Sequence, residues 1–95
     1  MAYFYITELD DSDAAALQKK AAQERASELG APIIAYFGDG GDTRFGFFEL
    51  WNSTVKNKVD FIIMKSCDSL NQDATEAEKI IKDLQRHGAR VVFTY

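Results

Sequence analysis

Val59-Asp60-Phe61-Ile62-Ile63-Met64 is the stretch that decides how this chain is built. All of it but Asp60 is apolar, and most of it is β-branched or aromatic. A run of that kind suits a strand buried on both faces, which belongs in a parallel sheet with helices above and below. Upstream, Phe47, Leu50, Trp51, Thr54 and Val55 fall at helical spacing and predict a helix that starts after Thr43 and ends at Asn57-Lys58. Before it, Gly38-Asp39-Gly40-Gly41-Asp42 is a polar glycine loop, and Ile33 to Phe37 reads as a strand. Further back, Tyr3 to Ile6 is an aromatic and β-branched run. Asp11, Ser12 and Asp13 follow it as N-cap candidates for a helix with the stripe Ala14, Leu17, Ala21, Ala22, Ala26 and Leu29, stopped by Gly30 and Pro32. Downstream, Ala77, Ile80, Ile81 and Leu84 form the stripe of a last helix ending at His87-Gly88, and Arg90 to Tyr95 reads as the last strand.

The order is therefore β-α-β-α-β-α-β with connections of helical length. It predicts a single α/β domain over 1–95, three layers deep, with a mainly parallel four-stranded sheet, right-handed crossovers and helices on both faces. In such sheets chemistry gathers at the carboxyl ends of the strands. Here those ends are Thr7 to Asp11, Gly38 to Arg44 and Lys65 to Gln72, three polar loops that converge on one rim.

With 95 residues, 46% of them hydrophobic and 13% aromatic, the chain can form one core without staples. One cysteine, Cys67, excludes an internal disulfide and fits a reducing, cytoplasmic setting. No signal peptide or membrane span is readable. A net charge of −4 argues against a stand-alone nucleic-acid binder, because Lys and Arg supply most non-specific affinity for phosphate. DNA contact is expected only indirectly or weakly.

Taken together and in order, the three loops resemble the catalytic domain of the serine recombinases, the resolvases and invertases. In that family strand one carries Tyr-x-Arg-x-Ser, and here it reads Tyr3-Phe4-Tyr5-Ile6-Thr7. The second loop of the family ends in Arg-Pro-Gly-Phe, and here Asp39-Gly40-Gly41-Asp42-Thr43 leads into Arg44-Phe45-Gly46-Phe47. The third carries Asp-Arg-Leu-x-Arg, against Asp68-Ser69-Leu70-Asn71-Gln72. Val59 to Ile63 and Gly88 to Phe93 also look like their counterparts, so the similarity spans the chain. The resemblance implies a sheet order of 2-1-3-4. It also implies a polypeptide that continues into further helices and a DNA-binding domain absent from 1–95, so that the chain is either a fragment or a stand-alone remnant.

The family attacks a DNA phosphodiester with a serine hydroxyl while arginines hold the phosphate, because guanidinium forks match the charge and geometry of the oxygens in the transition state. By resemblance Thr7 stands at the nucleophile, a hydroxyl crowded by a methyl. Arg44 and Asp68 match the family pattern, and Gln18 matches a glutamine of the first helix. Tyr5, Ser69 and Gln72 replace three arginines. At about 3 kcal/mol for each lost donor, those replacements outweigh what a slow phosphoryl-transfer enzyme can lose. Thr7, Arg44 and Asp68 thus read as a vestigial site, and the chain as a recombinase-like domain serving protein association or regulation. It is expected to be a homo-oligomer or the partner of a recombinase, without a cofactor or a metal. The alternatives are a working recombinase fragment that cleaves DNA through Thr7, and an unrelated flavodoxin-like binding module.

Simpler readings stand beside these. Thr7 suits a strand end as a β-former, Arg44 suits a surface ion pair with Asp39 or Asp42, and Asp68 suits a loop cap. Cys67 has no neighbouring His or second Cys, His87 suits a helix C-terminus, and neither has metal-ligand spacing. The glycine loop lacks a dinucleotide or P-loop pattern. Asp10 and Asp11 suggest a phospho-acceptor receiver, but strand three ends in Lys65-Ser66-Cys67 without the required aspartate. Phe45, Phe47, Phe48 and Trp51 cannot all face the sheet, so one or two of them should face solvent and mark a partner surface.

Overall fold

The computed structural model describes residues 1–8, 11–40, 44–66 and 73–94. Seven elements alternate as the sequence predicts: β1 (Ala2–Ile6), α1 (Ser12–Leu29), β2 (Ile33–Gly38), α2 (Phe45–Lys56), β3 (Phe61–Met64), α3 (Ala74–Arg86) and β4 (Arg90–Phe93). They build a four-stranded sheet in the order β2-β1-β3-β4. Every pairing is parallel, with Phe4 beside Tyr36 and Ile63, and Ile63 beside Val92.

Strand periodicity divides the core in two. Tyr3, Tyr5, Ile62 and Met64 point to one face, where Leu50 of α2 and Ala77 and Leu84 of α3 cover them. Ala2, Phe4, Ile6 and Ile63 point to the other face, against Ala22 and Ala26 of α1. The central strands β1 and β3 are therefore closed off on both sides, which is why β3 reads as an unbroken apolar run. The chain moves from β1 outward to β2, then crosses back to β3 on the other side of β1. That reversal puts the topological switch point at the carboxyl ends of β1 and β3.

The caps follow local chemistry. Asp11 is the N-cap of α1 and accepts hydrogen bonds from Asp13 N and Ala14 N, both at 3.1 Å. Gly30 closes α1 in the left-handed region at φ 65°, where a side chain would be strained. Asp73 caps α3 through Thr75 N and Glu76 N.

Three expectations need correction. Leu17, placed in the buried stripe of α1, is 70% exposed, and Gln18 is buried in its stead, because the Gln18 amide finds partners on the Thr7 backbone just after β1 while Leu17 points away from the sheet. Val55 was expected on the buried face of α2 and is exposed; that face is made by Gly46, Leu50 and Thr54. β3 begins at Phe61, two residues later than expected, although Val59 is still buried. The expected end of β4 at Tyr95 lies outside the described residues. Phe45 and Phe48 face solvent, as helical spacing requires of part of the aromatic group.

Candidate functional site on the carboxyl rim

Tyr5 is the penultimate residue of β1 and points toward the α2–α3 layer, where it is almost wholly buried. Its hydroxyl donates to Asp39 Oδ2 at 2.6 Å. Asp39 follows β2 directly and is buried as well. Its carboxylate also accepts from Gly46 N at 2.8 Å and Phe47 N at 2.9 Å. Asp39, and not the residue before α2, therefore satisfies the first amides of that helix. The α2 N-cap, Arg44, makes no side-chain capping bond.

Gly46 allows this approach. A Cβ there would lie 2.6 Å from the carbonyl carbon of Gly38 and would overlap its oxygen. The start of α2 can press onto the end of β2 only because position 46 has no side chain.

Burial pushes the Tyr5 phenol well above its ordinary range, the hydrogen bond to Asp39 and the Asp39 charge add to the rise, and the Arg44 guanidinium beside the hydroxyl opposes it. Tyr5 is thus a neutral donor at physiological pH. Tyr5, Asp39 and Arg44 form one cluster linking β1, the β2 loop and α2.

Thr7 follows β1 at the same rim and is half-buried. Gln18 of α1 holds it from both sides: Thr7 N donates to Gln18 Oε1 at 3.0 Å, and Gln18 Nε2 donates to the Thr7 carbonyl at 2.8 Å. The Thr7 hydroxyl donates to the same Oε1 at 3.3 Å. Glu8 then turns the chain with φ 56°, and its carbonyl accepts from Asp11 N at the cap of α1. Lys65 and Ser66 leave β3 at the switch point, half-buried.

Thr7 and Arg44 therefore stand on one rim, as the resemblance requires. Asp68, Ser69, Gln72 and Cys67 lie outside the described residues. Two roles were missed from sequence. Asp39 was read as a loop residue or a surface ion-pair partner for Arg44, but it is the buried acceptor around which the rim is built. Its position at a strand end seven residues before Gly46 was the available signal. The bond from Trp51 Nε1 to Asp83 Oδ2 at 2.7 Å, which ties α2 to α3, left no sequence signal. Among the described residues no group of three or more His, Cys, Asp and Glu could hold a metal. No described helix is long and apolar enough to cross a membrane.

No protein-family model matches the chain, and no curated protein is significantly similar to it in sequence. Solved structures do match. The C-terminal catalytic domain of ISC1926 TnpA, an IS607-like serine recombinase, superposes with a TM-score of 0.83 at 17% identity, over 99% of this chain and 67% of that one. A resolvase family site-specific recombinase from Streptococcus pneumoniae gives 0.80 at 14% identity, over 99% and 72%. The first open reading frame of transposon ISC1904 from Sulfolobus solfataricus P2 gives 0.77 at 19% identity, over 99% and 66%. The chain thus spans about two thirds of the length of these structures. At such identities the likeness is one of architecture: this chain has the resolvase-like α/β fold that serine recombinase catalytic domains share.

Proposed function

We propose that the chain is a serine recombinase-like domain that has lost phosphoryl-transfer chemistry and serves protein–protein association or regulation linked to site-specific DNA recombination. The observation that carries this reading is Tyr5. At the position where the family carries an arginine, a buried phenol donates to Asp39 and stays neutral. It brings no positive charge to a transferring phosphate, whose oxygens need cationic donors. Among the described residues Arg44 is the single guanidinium at this rim. The Thr7 hydroxyl rests against the neutral Gln18 amide, which is a poor base for activating a nucleophile. The link to recombination rests on the shared architecture, since two of the similar structures are described as serine or site-specific recombinases and the third comes from a transposon.

The test is incubation with supercoiled plasmid carrying recombination sites, followed by denaturing electrophoresis. Neither nicking nor a denaturant-stable protein–DNA adduct is expected. An adduct formed by the wild-type chain and lost in Thr7→Val would instead assign a working fragment acting through Thr7. For the regulatory part, an excess of the chain should change the rate of an active serine recombinase with which it associates. An unchanged rate despite binding would remove that role.

A further inference from the structure

We propose that the groove between α1 and the edge strand β2 is a binding site for a nucleoside monophosphate, on the opposite face of the sheet from the Tyr5 hydroxyl. The groove exists because α1 alone serves its face of a four-stranded sheet, and its alanines pack over β1 and β3. β2 lies beyond them and keeps Tyr36 half-exposed. A cleft of about 440 Å³ opens between helix and strand, within the usual size of a small-ligand site.

Each wall carries its own chemistry. Ala26 and Ala31 make a buried floor with no side chain longer than a methyl, so a flat ring can lie deep between the walls. On the β2 side Tyr36, in T-shaped contact with Phe4, offers an aromatic surface to that ring. On the α1 side stand Gln23 and Ser27, exposed and without a side-chain hydrogen bond among the described residues. An amide and a hydroxyl both donate and accept. The edge of a nucleobase answers both, whereas a hydrocarbon ring would leave them unused.

The phosphate has its place as well. Lys19 Nζ lies 5.0 Å from the centre of the Tyr36 ring, at the end of the groove where Tyr36 stands. Lys19, Gln23 and Ser27 step by four and so form one row along α1. From the first to the last of them the helix rises about 12 Å, the span of a mononucleotide from phosphate to base. Glu24 and Glu28 follow Gln23 and Ser27 by one residue and point about 100° away from that row. Among the described residues no acid lines the groove, although the chain carries a net charge of −4. An anion is thus accepted here by a molecule whose overall charge repels it. A ligand touching both walls bridges α1 to β2, and α1 also carries Gln18, which holds Thr7. Since it binds only the docked helix, the nucleotide stabilises that docking and with it the geometry of the rim.

The site does not depend on the loss of phosphoryl-transfer chemistry, so the plasmid assay and the following experiment fail independently. The isotope-labelled chain is titrated with adenosine monophosphate and followed by nuclear magnetic resonance, with adenosine and inorganic phosphate as separate arms. Saturable shifts are expected at Gln23, Ser27, Gly30, Ala31 and Tyr36, with a Kd of about 1 mM or below. Adenosine should bind about tenfold more weakly for want of the Lys19 contact, and phosphate alone should give no saturable shift. Lys19→Glu should weaken the nucleotide by at least about tenfold, and Ser27→Phe, which fills the groove, should abolish binding. Both positions are exposed, so the circular dichroism spectrum should not change. Lys82→Glu, on the exposed side of α3, is the control and should leave binding as it was. Saturating nucleotide should also slow amide exchange along α1 and at Thr7. The proposal is overturned if the shifts grow linearly to roughly 10 mM, if they centre on Thr7 and Arg44, if adenosine binds as tightly as its monophosphate, or if binding survives Ser27→Phe.

Discussion

The Tyr5 hydroxyl meets the Asp39 carboxylate at 2.6 Å, under the first turn of α2. One phenol therefore links the central strand to the helix that carries Arg44. Tyr5→Phe keeps the ring and removes the donor to a buried charge, so it should cost about 2 kcal/mol in denaturant unfolding. A change of less than half that would mean that water replaces the hydroxyl.

The same bond makes a prediction about pH. Folding raises the Tyr5 phenol above its ordinary value of 10.0, so above that pH the unfolded chain gives up this proton while the folded chain keeps it. The contribution of Tyr5 to stability is thus fully present below about pH 10 and is lost as the pH rises further. Chemical denaturation between pH 8 and 11, as round bounds about that value, should show a decline that is shallower in Tyr5→Phe. Identical slopes for the two proteins would refute the assignment.

Gly46→Ala tests the contact between α2 and β2. The added methyl would meet the backbone of Gly38, which cannot rotate away, so destabilisation of about 3 kcal/mol or more is expected. Nuclear magnetic resonance should show the largest shifts at residues 38, 39 and 47. A thermal midpoint within a degree or so of wild type would contradict the close approach.

Leu17 and Gln18 should behave in the reverse of their hydrophobicities. Leu17→Ala, at a site 70% exposed, should stay within about 0.5 kcal/mol of wild type. Gln18→Leu should cost roughly 1–3 kcal/mol, since it strips the Thr7 backbone of two hydrogen bonds. It should also speed exchange of the Thr7 amide hydrogen.

That reversal shows where the sequence stops being legible. Element order, the fully covered β3 and the α/β class follow from local patterning, because burial on both faces leaves a mark within a few residues. Gln18 leaves none. Its burial depends on Thr7, 11 residues away at the end of β1, and a hydropathy stripe prefers its apolar neighbour. Asp39 failed in the same manner: glycines around an aspartate signal an exposed loop, while the three donors that bury it come from β1 and α2. Tyr5, Thr7 and Arg44 fall at one rim because strand ends in a parallel sheet share a direction. The third-loop positions Asp68, Ser69 and Gln72 lie outside the described residues.

The contact between α1 and the sheet has one more consequence. Ala22 and Ala26 let the helix lie close to β1 and β3, but alanines remove little apolar surface from water, so this layer adheres more weakly than the aromatic-rich side. In hydrogen exchange α1 should open at lower free energy than β1 or β3, as a separate unit. Each opening withdraws Gln18 and releases Thr7, so the geometry of the rim lasts only as long as its least firmly attached helix stays docked.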